Sequence, residues 1–115
     1  MSELLDRCRK YGADVEGTME RFIDDEELYE CCLKEFSEDK GFKELESALK
    51  KEYQEAFECA HALKGVAGNL GLTPLFGAVS ELVESLRASE YSDVKEQHFK
   101  VSKEWEHMKE MLLKG

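Results

Sequence analysis

Apolar residues recur at spacings of three and four from Leu4 to Leu112, the repeat of one face of an α-helix. Alternating runs of β-branched residues, which would indicate strands, are nearly absent. The one proline, Pro74, falls where a helix opens rather than inside one. The chain therefore reads as all-α.

The pattern divides into seven segments. The first covers Ser2 to Lys10, with Leu4, Leu5 and Cys8, and stops near Gly12. A short second one follows Asp14 as cap and holds Val15, Met19 and Phe22. The third opens at Asp24 or Asp25, with acids in the first turn where the helix dipole favours them. Its apolar positions are Leu28, Tyr29, Cys32, Leu33 and Phe36. The fourth, Gly41 to Lys50, is expected to bury Phe42, Leu45 and Leu49. The fifth, Glu52 to Leu70, ends at Gly71, a left-handed cap. The sixth takes Thr73 as cap and Pro74 as its first residue, and runs to Ala88 with Leu75, Val79, Leu82 and Leu86 inside. The seventh, Ser92 to Leu113, carries Val94, His98, Val101, Trp105, Met108 and Leu112. Long amphipathic helices with short loops give an antiparallel up-down four-helix bundle with additional short N-terminal helices. At 115 residues the expectation is one domain, with residues 1–23 packing on a bundle of 24–114.

Charge excludes several functions. Residues 1–59 hold 18 acids and 9 bases, a net of −9, and residues 60–115 hold 8 and 7, a net of −1. No basic stripe is offered to a phosphate backbone, so nucleic acid is a poor partner and a basic or neutral protein a better one. The longest uncharged run, Gly65 to Ser80, is too short and too interrupted to span a bilayer. The start, Met-Ser-Glu, lacks the regions of a signal peptide. Cys8, Cys31, Cys32 and Cys59 show no paired metal spacing and read as reduced thiols. A cytoplasmic monomer is expected.

The fifth segment has an unusual second face. On a helix turning about 100° per residue, with His61 at zero, Ala56, Cys59, Ala60, Leu63, Val66, Ala67 and Leu70 lie roughly between 140° and 260°. Phe57, Lys64, Gly65 and Gly68 lie within roughly 60° of His61. The imidazole thus points away from the core side. Each helix glycine costs about 1 kcal/mol against alanine, so two on the outward face suggest a bare strip for close approach. Lys64 supplies a charge that can neutralise a phosphoryl or carboxylate group. An exposed imidazole, with a reference pKa of about 6.5, is largely neutral at pH 7 and so nucleophilic.

Ala60-His61-Ala62-Leu63-Lys64-Gly65 followed by Asn69-Leu70-Gly71 resembles the signature of histidine-containing phosphotransfer (HPt) domains, roughly A-H-x-L-K-G and then N-L-G. Leu82 and Arg87 fit the family's pattern on the next helix. The resemblance implies that His61 accepts a phosphoryl group through Nε2 from the aspartyl phosphate of a receiver domain and passes it to a second receiver. It implies that Lys64 steadies the phosphoryl oxygens and that Gly65 and Gly68 leave room for receiver loops. Mg²⁺ would come with the receiver, so neither a cofactor nor a metal site is expected in this chain. The partners implied are response-regulator receivers and a hybrid histidine kinase. No nucleotide motif is present, so phosphorylation of His61 from ATP is not expected. Val83 departs from the family, which often places Gln or Glu there to hold the ring; a carbonyl, water or Glu84 is the alternative.

Docking also needs apolar surface. Phe57 is the main candidate, followed by Phe76, Met19 and Val15. Two rival readings are a helical module that docks a receiver without carrying phosphate, and a di-iron bundle. The latter uses Glu-x-x-His pairs, present here as Glu58/His61 and Glu104/His107. Both histidines fall on outward faces, whereas a buried dinuclear site needs them inward.

Overall fold

The computed structural model describes residues 3–113. Ser2 and Lys114, assigned above to the first helix and the bundle, lie outside them. Among the described residues the regular structure is entirely helical. The elements are α1 (Glu3–Tyr11), α2 (Val15–Arg21), α3 (Glu26–Ser37), α4 (Gly41–Leu49), α5 (Tyr53–Asn69), α6 (Thr73–Arg87) and α7 (Val94–Leu113).

Caps explain most boundaries. Asp14 accepts a hydrogen bond from the Gly17 amide, and Asp25 from that of Leu28, so each starts a helix by satisfying a free N–H. Asp25, not Asp24, is therefore the α3 cap. Gly71 adopts φ 70°, and the Leu72 amide reaches back to the Ala67 carbonyl at 2.9 Å, closing α5. The start of α6 differs from expectation. Leu72 is the cap residue and Thr73 is already helical, because the Thr73 hydroxyl turns back to the Gly71 carbonyl instead of capping the new helix.

The helices pack in chain order: α4 on α5, α5 on α6, α6 on α7. The links are short, so neighbours run antiparallel. α3 and α1 also rest on α7. Arg7 Nε donates to the Met111 carbonyl at 2.8 Å, and Cys8 Sγ lies 3.7 Å from Met111 Sδ. Burial pushes the Cys8 thiol up to about 11, keeping it a neutral packing group. Trp105 joins α7 to α3 and α4: Phe36 meets it edge-on at 5.1 Å and Phe42 stacks on it at 5.3 Å. His98, half-buried as expected, places Nε2 3.2 Å from Glu46 Oε2.

Some expected core positions are not buried. Leu28 is 48% exposed and Leu49 half-buried, while Ala48 takes the third core place on α4. These helices present narrower apolar stripes than a count of apolar residues suggests, and Leu28 and Leu49 fall at the stripe edges.

One segment stores strain. Ile23 and Asp24, between α2 and α3, have φ of 52° and 57°. A β-branched residue there is strongly disfavoured, and the Ile23 side chain is 88% exposed, so it gains little packing in return. Ile23→Asn should stabilise the fold by about 1 kcal/mol, since asparagine tolerates this conformation. Urea denaturation will show it; an unchanged or lowered midpoint would contradict the strain.

Candidate functional site

The site is built on α5. Ala56, Ala60, Leu63 and Ala67 are its buried residues, spaced by fours and threes. Three are alanines, and such small side chains let α4 and α6 approach closely. Val66, expected in that stripe, is 42% exposed. It sits at the stripe's edge and faces the gap between α4 and α5 instead of the core.

On the other side, His61 and Gly65 are exposed and Lys64 and Gly68 half-buried. The imidazole stacks on Phe57, one turn earlier, with centroids 5.8 Å apart and planes at 29°. The Arg87 guanidinium lies 5.6 Å from the Phe57 centroid. Glu84 Oε1 in turn accepts from Arg87 Nη1 at 2.8 Å. A row thus runs from α6 to the imidazole: Glu84, Arg87, Phe57, His61. Val83 is fully buried and does not reach the ring. Glu84 acts one step removed, through Arg87. Among the described residues no side chain hydrogen-bonds the imidazole, so stacking is what orients it.

This defines the role of Phe57. It is half-buried, stacks with His61 and lies near Arg87, so it supports the imidazole as well as bordering the surface. Phe57→Leu should keep the fold and loosen the ring, slowing any reaction carried by the imidazole about tenfold through lost positioning. Sharper His61 side-chain NMR signals in the wild type than in the variant would accompany it. Equal transfer rates in both proteins would remove the role.

The two glycines differ. A Cβ on Gly65 would meet nothing within 4 Å, as a bare strip requires. A Cβ on Gly68 would come 3.0 Å from the Phe76 ring. Gly68 is therefore small because α6 packs a ring against it, which corrects the expectation that its outward position left it uncovered. Phe76 is 36% exposed, and its ring has a second neighbour, Lys64 Nζ, 5.8 Å from the centroid. Its main contacts are thus within the chain. Lys64 lies toward α6.

Met19 and Val15 are core residues, 9% and 0% exposed, and neither forms docking surface. Their side of α2 faces the bundle, because the helix end is pulled onto α5. Arg21 Nη2 donates to the Gly68 and Asn69 carbonyls, both at 3.1 Å. The Tyr29 hydroxyl donates to the Leu70 carbonyl at 2.7 Å. These residues hold the end of the His61 helix and were not singled out in the sequence. A basic residue in the last turn of α2 is the one signal for Arg21, but it does not say whose carbonyls it serves. Arg87 was marked by the resemblance, and the structure adds its i,i+3 ion pair with Glu84.

His61 and His107, the histidines of the two Glu-x-x-His pairs, are both exposed, and His107 Nδ1 meets its own Glu104 at 3.1 Å. Among the described residues no three His, Cys, Asp or Glu side chains stand together as metal ligands. No described helix is long and apolar enough to cross a membrane.

Comparison with curated proteins and with solved structures returned no match. Comparison with protein families returned the Hpt domain over residues 27–114, from the first turn of α3 through α7, with α1 and α2 outside the match. With an exposed imidazole on the central helix of an up-down helical bundle, and the family's pattern matched over most of its length, the chain belongs to the Hpt domain family, phosphotransfer intermediates without a kinase domain that exchange phosphoryl groups with receiver domains in phosphorelays.

Proposed function

We propose that His61 is the phosphoacceptor, taking its group from the aspartyl phosphate of one receiver and giving it to the aspartate of another. The observation that supports this is an exposed imidazole stacked on Phe57 beside the open side of Gly65. Neutral Nε2 attacks phosphorus; the N–P bond forms as the P–O bond to the receiver's aspartate breaks. The carboxylate leaves with the electron pair, and Nδ1 keeps its proton. In the onward step a second carboxylate attacks and the imidazole leaves neutral. Lys64 turns from the Phe76 ring toward the phosphoryl oxygens, where its charge offsets theirs.

Mg²⁺ belongs to the receiver in this scheme, and the protein itself supplies no cofactor. The donor receiver is that of a hybrid histidine kinase, and the protein acts as a cytoplasmic monomer. Incubation with a receiver carrying radiolabelled phosphate tests the central claim: the label should appear on His61 as an acid-labile, base-stable adduct. Receiver binding without any label would instead leave a docking module.

Gly65 gives an independent check. With nothing near its missing Cβ, Gly65→Ala should stabilise the helix by about 0.5–1 kcal/mol. The same methyl group stands where a receiver loop must approach, so transfer should slow about tenfold. A higher melting temperature together with slower transfer is the expected pair of results. Faster or equal transfer would mean that the open strip is not used.

A further inference from the structure

Beside the acceptor, α4 and α5 leave a cavity of about 370 Å³. Phe36 and Leu63, both nearly fully buried, form its floor, and Ala62 and Val66 its α5 wall. Glu58 and Ala62, at about 60° and 100° around α5 from His61, line the cavity, so its wall adjoins the helix face that carries the imidazole. Val66 lines the opening and is 42% exposed, although it belongs to a helix whose other large aliphatic, Leu63, is buried. Asp39, Glu44 and Glu58 also line the cavity, and all three are exposed, which puts their carboxylates at its mouth. Among the described residues no salt bridge engages any of the three, though Asp39 accepts from the Gly41 amide at 2.6 Å. Cys59 lies in the wall, where burial, aided by Glu44, Glu55 and Glu58, pushes its thiol up.

An apolar floor behind the unpaired carboxylates of Glu44 and Glu58 fits an apolar side chain flanked by lysine or arginine. We propose that this cavity is the receiver-selecting half of the docking surface, filled by such a basic-flanked apolar side chain of the receiver when its phosphoryl group is placed over His61. The proposal rests on the reading of His61 as phosphoacceptor. It names what that reading lacks, the feature by which this protein takes one receiver over another. Continuity supports the assignment: Glu58, Ala62 and Val66 lie on successive turns of α5, adjoining the turns that carry His61 and Gly65. An interface of standard size covers about 800 Å² on each partner, more than the acceptor and its neighbouring glycine present.

Two measurements test it, both with a receiver that labels His61. In the first, Glu44→Lys and Glu58→Lys, singly and combined, are titrated with that receiver. Each exposed substitution should raise Kd about tenfold and the pair should raise it further. Phosphoramidate, a small donor that needs no docking, should label His61 in all of them at the wild-type rate. In the second, alkylation of the wild-type protein is followed peptide by peptide. Saturating receiver should slow modification of Cys59 about tenfold and leave that of exposed Cys31 unchanged. Unchanged Kd values, or undiminished alkylation of Cys59 under saturating receiver, overturn the proposal while leaving the acceptor intact. Failure of both phosphoramidate and receivers to label His61 overturns the acceptor reading itself, and the proposal with it.

Discussion

His61→Gln should abolish phosphotransfer, lowering the labelling rate by a factor of about 10³ or more. Glutamine has a similar reach, but its amide nitrogen shares its lone pair with the carbonyl and does not attack phosphorus. The position is exposed and the imidazole has no hydrogen bond to lose, so stability should change by less than about 0.5 kcal/mol. Receiver binding should persist within a few-fold, because the surface around residue 61 is intact. The acid lability of the adduct distinguishes the nitrogen acceptor from a hydroxyl. Protonation makes the phosphorylated imidazole a good leaving group, whereas a phosphoserine or phosphothreonine survives the same acid. Acid-labile label remaining on His61→Gln would place the acceptor at His98 or His107.

The largest effect on stability should come from Gly71→Ala. Gly71 adopts φ 70°, where an L side chain costs about 1–2 kcal/mol. A Cβ there would also overlap the Thr18 hydroxyl and come 2.8 Å from the Asp14 carbonyl. Neither neighbour yields easily. Thr18 is fully buried, and its hydroxyl donates to that same carbonyl at 2.6 Å. The Asp14 amide in turn donates to the Gly71 carbonyl at 2.8 Å. Strain and overpacking together should cost about 3–4 kcal/mol, a fall of roughly 15–25 °C in Tm for a domain of this size. Thermal unfolding measures it. A loss below about 1 kcal/mol would mean that α2 shifts away from the α5–α6 corner at little cost.

Most of the fold was legible because it rests on local rules. Period, caps and the Pro74–Gly71 punctuation placed all seven helices within a few residues. What escaped was contact between helices. Gly68 looked bare because a helical wheel shows one helix, and the Phe76 ring that fills the space belongs to the next. Met19 and Val15 looked available for docking because nothing in a seven-residue helix announces that Arg21 will tie it down. His61 and Lys64 were singled out by the face they share with two glycines and by the resemblance. The ring's support was not, since the row from Glu84 to His61 joins two helices. Sequence reasoning offered a carbonyl, water or Glu84 in place of Val83, whereas the structure lines up Glu84, Arg87 and Phe57, none of which hydrogen-bonds the imidazole.

The links that finish the acceptor helix have a consequence for synthesis. Arg21 and Tyr29 reach carbonyls 41 to 48 residues further along the chain. Arg7 and Cys8 meet Met111 across more than a hundred residues. A ribosome releases α1 to α3 well before any of these partners exist. Those helices wait with apolar faces uncovered, and the last turn of α5 gains its side-chain supports only when the end of α2 and the start of α3 close on it. The bundle is therefore completed late, when α7 emerges and α1 closes on it.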